Sequence, residues 1–369
     1  MNNRLRSFGL ALAAPVTAFV FATVLSAIVL LIAGSNPIVA FGDMLRHGAK
    51  LETIIDMLNR ATPLYLSGVA AAIGFKMGLF NIGVEGQYQM AAFFAAAAGG
   101  AIVLPNGLHV IFIILVAMTV GALWAGFAGF LKVTCGVNEV ISTIMLNAIA
   151  TTGVLAWLTV KWRDGELSTN SGTKLIEESG HMPNLNWFVE IFTPDIKNSK
   201  ELSGVLVVAI IVGIAYHLFV NRSRLGYDLR ASGINPLAAR AGGVPPKRMI
   251  MIAMLASGGV AGVVGMVDIL SRNHRYDQNF TPGLGFAGIA VALLGRNGPA
   301  GIAFAALLFA FLDASSSILQ ITGSASKEIV TIMQGVILLA AVVSYEYVNR
   351  IREREEIRQA SIAVGAVAA

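Results

Sequence analysis

Apolar runs of about twenty residues follow one another along this 369-residue chain, and that recurrence decides its fold class. A helix crosses the roughly 30 Å of bilayer hydrocarbon with about twenty residues, because it satisfies its own backbone groups there. The runs are continuous rather than alternating, so they lack the dyad pattern of a membrane β-barrel. Only 13% of residues are charged, against 56% hydrophobic, and a soluble domain carries about twice that charged share. The chain reads as an all-α polytopic membrane protein with about ten spans, within a range of about 8–11.

In order, the spans fall near Phe8–Ala33, Ala61–Met77, Gln87–Leu104, Leu108–Val133, Asn138–Val160, Ser203–Val220, Met249–Leu270, Leu284–Leu294, Ala300–Leu319 and Glu328–Val348. The first run is too long for the core of a cleaved signal, and no A-x-A site closes it, so it reads as a retained span. In the polar interval Ser35–Arg60, the residues Met44, Leu45, Leu51, Ile54, Ile55 and Leu58 fall near helical spacing. That predicts a short helix on the outer surface. Gly121, Ala125 and Gly129 give span four a small-xxx-small face for close helix contact.

An outer loop at 161–202, a basic loop at 221–248 and a tail at 349–369 separate or follow the spans. Ten spans with a cytoplasmic start put both termini inside, and the Lys and Arg close to span ends in 221–248 and 349–358 favour that orientation. The net charge of +5 belongs to this bias rather than to a nucleic-acid surface. The single cysteine, Cys135, leaves no internal disulfide and no cysteine-rich metal site. Ile141 to Met145 recurs as Ile329 to Met333, each after a glutamate, Glu139 or Glu328, at a span start. By this topology one copy starts inside and the other outside, the arrangement of an inverted repeat of spans two to five against seven to ten.

Gly78-Leu79-Phe80-Asn81-Ile82-Gly83-Val84-Glu85-Gly86-Gln87 breaks the apolar pattern most sharply. Each glycine costs a helix roughly 1 kcal/mol against alanine. Glu85 near lipid depth is costly unless it is partnered or wet. The stretch is a surface turn or a broken helix lining a cavity. The topology puts it after span two, near the inner end, where its glycines read as a tight turn or a close helix approach. A second feature is Asn235-Pro236, a good helix start, with Leu237 to Ala241 able to form a turn or two before Gly242-Gly243 stops them. It is either a knob for a groove on a partner or a loop whose arginines set topology.

Asn235-x-x-Ala238-Ala239-Arg240-x-x-Gly243 resembles the coupling segment of ABC importer permeases of the branched-chain amino acid, simple sugar and nucleoside group. Phe80 to Gln87 and Asn138-Glu139-Val140-Ile141-Ser142-Thr143-Ile144-Met145-Leu146-Asn147 look like two other signatures of that group. They are most similar to the nucleoside branch, which works with basic-membrane-protein-type lipoproteins. The ribose-type branch has Asp-Leu-Ser-Val-Gly where this chain has Asn81 to Gly86.

The resemblance implies a permease subunit of the bacterial inner membrane, paired with a second, related permease. ATP and magnesium would sit on cytoplasmic ATPase subunits, and an outer lipoprotein would deliver substrate. Asn235 to Gly243 would transmit the ATPase stroke, with Arg230 and Arg240 as polar contacts. In agreement, the chain contains no G-x-x-x-x-G-K-[ST] phosphate loop. A simple-sugar importer permease is the alternative within the group. An ion-coupled transporter using Glu85, Glu139 or Asp313 is the alternative outside it.

Nothing points to catalysis. His47, His109, His181, His217 and His274 show no metal-ligand spacing, and Ser315-Ser316-Ser317 beside Asp313 has no histidine near it in sequence. Polar residues within or beside the spans are the candidates for a translocation path: Asn81, Glu85, Gln87, Glu139, Thr143, Asn147, Thr151, Asp313, Ser316, Gln320, Thr331 and Gln334. Such groups are costly against lipid and should face the bundle interior. The plainer reading of each is a hydrogen bond between helices.

Overall fold

The computed structural model describes residues 20–161, 172–192, 200–277, 280–322, 326, 328–340 and 343. The start of the predicted first span, parts of the 161–202 loop, the end of the last span and the 349–369 tail lie outside the described residues. Residues 51–310 form one compact unit, and the described parts of 1–50 and 311–369 form another. Among the described residues the structure is helical, with only isolated bridges at Gly172–Asp277 and Asn184–Ser203. Five helices are long and apolar enough to cross a membrane, or six if the sharply bent pair Val20–Ile32 (α1) and Pro37–Gly48 (α2) is one span.

The larger unit is built around two helices, α3 (Leu51–Lys76) and α4 (Val84–Ala101). Fourteen of the eighteen α4 residues are buried, so its alanines and glycines serve contact on every side rather than one face. Around them stand α5 (Leu108–Cys135), α6 (Glu139–Ala148) continued by α7 (Leu155–Lys161), α9 (Val205–Arg222), α12 (Pro246–Val263), α13 (Leu284–Leu294) and the start of α14 (Pro299–Ile321). The short α8 (Asn186–Phe192) lies in the 161–202 loop, and α10 (Arg224–Ile234) and α11 (Pro236–Ala241) lie in the basic loop.

The small-xxx-small face meets α12. A methyl group on Gly121 would stand 2.3 Å from the carbonyl oxygen of Gly258. The two backbones therefore touch, and dispersion between them replaces side-chain packing. Two segments widen into π-helix, Ile149–Val154 between α6 and α7 and Asp268–Arg272 beyond α12.

One predicted element is corrected. Leu51 to Leu58 is not part of a separate surface helix; it is the first two turns of α3, which runs unbroken to Lys76. Arg60 bridges to Asp56 one turn earlier at 3.0 Å, and the Thr62 hydroxyl donates to the Leu58 carbonyl. These contacts carry the helix past Pro63, whose missing N–H would otherwise favour a break. Only α2 remains as the separate short helix. Its Met44 is buried in the other unit's core with Leu30, Leu312 and Met333, while Leu45 is exposed. Sequence reasoning also treated 224–234 as loop. It is a helix because the Ser223 hydroxyl caps it, and Leu229 is fully buried against Met77, Leu146 and Met249.

Candidate functional site

The Gly78–Gln87 stretch is a junction between broken helices. α3 ends at Lys76, and Gly78 turns the chain at φ +71°. Asn81 then begins a closed set of hydrogen bonds. Its amide donates to Ser257 Oγ at 2.9 Å and to Gln87 Oε1 at 3.2 Å. Its Oδ1 accepts from the Gly83 N–H at 2.9 Å and from Gln87 Nε2 at 3.0 Å. The Ser257 hydroxyl in turn donates to the Ala70 carbonyl at 2.6 Å. Asn147 clamps the other side, accepting from the Gly86 N–H and donating to the Ile82 carbonyl, both at 2.9 Å. All four side chains are buried, so a break in the hydrogen-bonded ladder is repaired by side chains from α6 and α12.

Glu85 occupies the centre. It is 4% exposed, and each of its partners is a donor. Oε1 accepts from the Gly283 N–H at 2.7 Å and from Gln89 Nε2 at 2.6 Å. Oε2 accepts from the Gly285 N–H at 2.9 Å. The Tyr88 hydroxyl lies 3.1 Å from Oε1 and 2.7 Å from the Thr281 carbonyl. Gly283 and Gly285 carry unpaired N–H groups at the start of α13, where the helix dipole is positive. Glu85 therefore caps a second broken helix from across the unit. A methyl on Gly285 would stand 2.4 Å from the Glu85 nitrogen, so only glycine admits this approach.

The basic loop is organised around α10 and α11. Asn235 caps α11, its Oδ1 accepting from the Leu237 and Ala238 N–H groups, both at 3.0 Å. Gly243 ends the segment at φ +85°. The Ala239 side chain is buried, while Ile234 and Leu237 are 87% and 80% exposed and Arg240 is also exposed. Arg230 faces back, donating to the Val220 carbonyl and to Asn221 Oδ1, and so straps α10 to the end of α9. One turn further along α10, a methyl on Gly233 would stand 2.6 Å from the Met77 carbonyl carbon. The basic loop and the Gly78 junction thus meet backbone to backbone.

The remaining path candidates divide. Glu139 pairs with Lys132 at 2.6 Å. Thr143 is buried and donates to its own helix at Glu139 O, 2.6 Å away. Thr151 lies in the π-helical segment and donates to the Asn147 carbonyl at 2.9 Å. Asp313, Ser316, Gln320, Thr331 and Gln334 belong to the other unit. There Ser316 is buried and donates to the Asp313 carbonyl at 2.7 Å, Gln320 and Thr331 are exposed, and Asp313 and Gln334 are half-buried. Space brings together what sequence kept apart in two places. His47 Nε2 lies 3.4 Å from Ser317 Oγ, although that hydroxyl also donates to the Ala314 carbonyl at 2.9 Å. His181 and His274 stack at 3.5 Å. No cluster of three or more metal-ligating side chains occurs among the described residues.

Sequence reasoning missed Ser257, Gly283 and Gly285. Their signal was present, a serine inside an apolar glycine-rich run and a glycine pair at the head of a short span. It also missed the polar cluster at the start of α3. There Asp56 lies 3.0 Å from Arg60, 3.2 Å from Lys200 and 4.0 Å from Arg272, residues far apart in the chain.

Comparison with known proteins adds to this geometry. Residues 53–342 match the family model described as branched-chain amino acid transport system / permease component. The nucleoside ABC transporter permease protein NupB of Lactococcus lactis is 32% identical over 85% of this chain and 85% of its own length. The guanosine ABC transporter permease protein NupP of Bacillus subtilis is 31% identical over 90% of this chain and 93% of its own. The glucose ABC transporter permease protein TsgB13 of Haloferax volcanii is 28% identical over 93% of this chain and 90% of its own. With its broken helices, its capped loop segment and a family match over most of its length, the chain belongs to the permease components of the branched-chain amino acid transport system family.

Proposed function

We propose that this chain is the membrane permease subunit of an ATP-binding-cassette importer for nucleosides. It is a transport subunit and not an enzyme, as its relatives are. The names of NupB and NupP support nucleosides, and that of TsgB13 keeps a simple sugar as the second reading. The ion-coupled alternative is weakened, because Glu85 is occupied by backbone and amide donors and Glu139 by Lys132.

The observation that carries the reading is the α10–α11 segment. The six-residue α11 leaves Leu237 almost fully exposed beside Arg240, as Ile234 is just before it, yet α10 is held at two points one turn apart, to α9 by Arg230 and to Met77 through Gly233. Exposed apolar residues on a braced knob suit the groove of a cytoplasmic ATPase subunit, which would hold ATP and magnesium. In that role Asn235, Ala238, Arg240 and Gly243 form the contact, the buried Ala239 seats the segment on its own chain, and Arg230 braces it. Motion of the knob would reach the Asn81–Glu85 junction through Gly233 and Gly78. In this reading both termini would lie in the cytoplasm and the 161–202 loop outside, where a lipoprotein would dock.

The α6–α7 surface supports a second permease partner. Ile141, Met145 and Ile149 are exposed, and the exposed Thr152 lies in the π-helical turn next to them. Thr151, half-buried in that same turn, would be the candidate path residue beside this surface. Leu237→Asp tests the reading. The variant should fold as the parent does, lose co-purification with the ATPase and lose ATP-driven uptake. Uptake that survives ATP depletion and collapses with an uncoupler would overturn it.

A further inference from the structure

A groove of about 600 Å³ runs along the larger unit between α3, α5, α9 and α12. Ile73, Met118, Leu123, Phe219, Leu255 and Val260 are among its lining residues. Leu123 is 65% and Leu255 is 38% exposed, so the groove opens sideways from three membrane-crossing helices, toward hydrocarbon. Its one phenol, Tyr216, is already spent on the Asn297 carbonyl at 2.7 Å. Thr119, the other hydroxyl on its wall, donates to the Leu115 carbonyl at 2.8 Å, so the groove offers mainly apolar surface and no free hydroxyl donor.

Its end toward the basic loop is different. On α9, Tyr216 and Phe219 line the groove, and the next residue on that face is Arg222. On α12, Gly259 and Leu255 line it, and Ile252 and Arg248 continue that face toward the helix start. On α3, Ile73 is followed one turn later by Lys76. Met77, Phe219 and Met249 pack in one cluster, so these three helix ends lie together. Arg222 and Arg248 are exposed, and none of the three cations has an ion-pair partner among the described residues.

We propose that this groove is a binding site for an anionic phospholipid, with an acyl chain along the apolar wall and the phosphate among Arg222, Arg248 and Lys76. A guanidinium fork matches phosphate geometry, and basic residues at the end of a cleft between spans attract anionic headgroups. An apolar helix from another chain would cover the wall but leave three cations unanswered. A phospholipid answers both.

Native mass spectrometry of the full-length protein tests this, after incubation with equal amounts of phosphatidylglycerol and phosphatidylcholine. One phosphatidylglycerol should be retained per chain, preferred by about tenfold or more. The double variant Arg222→Gln with Arg248→Gln alters only exposed side chains. It should bring that preference close to parity while lipid is still retained. Ala122→Phe, which fills the groove, should remove the retained lipid with the cations intact. No retained lipid in the parent, or parent-like binding by the arginine pair, overturns the proposal. So does efficient cross-linking of Met118→Cys, made in a Cys135→Ser background, to another protein chain in native membranes.

Discussion

Two carboxylates of the same unit are held in opposite ways. Glu85 is buried among neutral donors: two backbone N–H groups at a helix head, an amide and a phenol. Asp56 stands among three cations, Arg60, Lys200 and Arg272, each more than a third exposed. A second buried charge beside Glu85 would have carried its own desolvation cost, whereas helix-end dipoles are fixed in place without one. Where water reaches, cations are cheap to place, but their attraction is screened and worth little. Glu85 is therefore a rigid pin between two broken helices, and Asp56 is an adjustable clasp between α3 and the segments at 200 and 272.

The largest effect should come from pulling the pin. Glu85→Ala leaves the Gly283 and Gly285 N–H groups and the Gln89 amide without their acceptor, in a space closed to water. Each orphaned donor costs about 1–3 kcal/mol. We expect the variant to lose most of its folded yield in membranes, measured by detergent-stable size-exclusion recovery. Full recovery would mean that the junction tolerates an empty cap and that the contrast with Asp56 is false.

Glu85→Gln is the next step down. One amide oxygen can still accept from the helix head, but the NH2 group now faces donors, costing about 1–3 kcal/mol. The melting temperature and the uptake rate should fall together, with the ratio of uptake for two nucleosides unchanged. A switched ratio would place Glu85 in the substrate path rather than in the scaffold.

How far each region could be read in advance follows from the same contrast. The junction announced itself because glycines and a carboxylate are expensive in an apolar run, and Asn235-Pro236 announced α11 through capping chemistry alone. The role of Glu85 was not legible. Its partners Gly283 and Gly285 are about two hundred positions away, and nothing local says which helix end a carboxylate will cap. The Asp56 clasp was hidden for a different reason. Each of its charges looks like an ordinary loop residue until Arg272 and Lys200 are brought to α3. The surface helix misjudged at 51–58 failed on a local competition, because the Asp56–Arg60 pair lies within the helix and favours extending it.

Asp56→Asn should have a smaller effect than either change at Glu85. Its partners are exposed, so the loss should be no more than about 1 kcal/mol. It should shrink further at about 1 M salt, where the screening length is near 3 Å. A thermal-shift series at low and high salt checks this. Salt-independent destabilisation of several degrees would show that Asp56 is pinned as Glu85 is.

Protons give the smallest effect and separate the clasp from its neighbour. Burial raises the Asp56 pKa, but Arg60 and Lys200 outweigh it and hold the group below the ordinary 3.8. A depressed aspartate stabilises the fold above that value and loses its contribution only as pH falls further, so Asp56 should not respond between about pH 7 and about pH 5. His274 is depressed too, below 6.5, by burial and then by the stacked His181. For a histidine this means stability that is present above 6.5 and lost as pH falls through the lower folded value. Protonation would set a cation against the His181 ring at 3.5 Å. The Ile176 N–H donates to the His274 carbonyl at 2.8 Å, and the Met182 N–H donates to the Leu270 carbonyl at 2.9 Å, so both amides report on this contact. Corrected for intrinsic rate, their hydrogen exchange should accelerate from about pH 7 to about pH 5, while the Ser203 amide, tied to Asn59 beside the clasp, should not change. Acceleration at Ser203 alone would reverse the assignment and make the Asp56 cluster the acid-sensitive one.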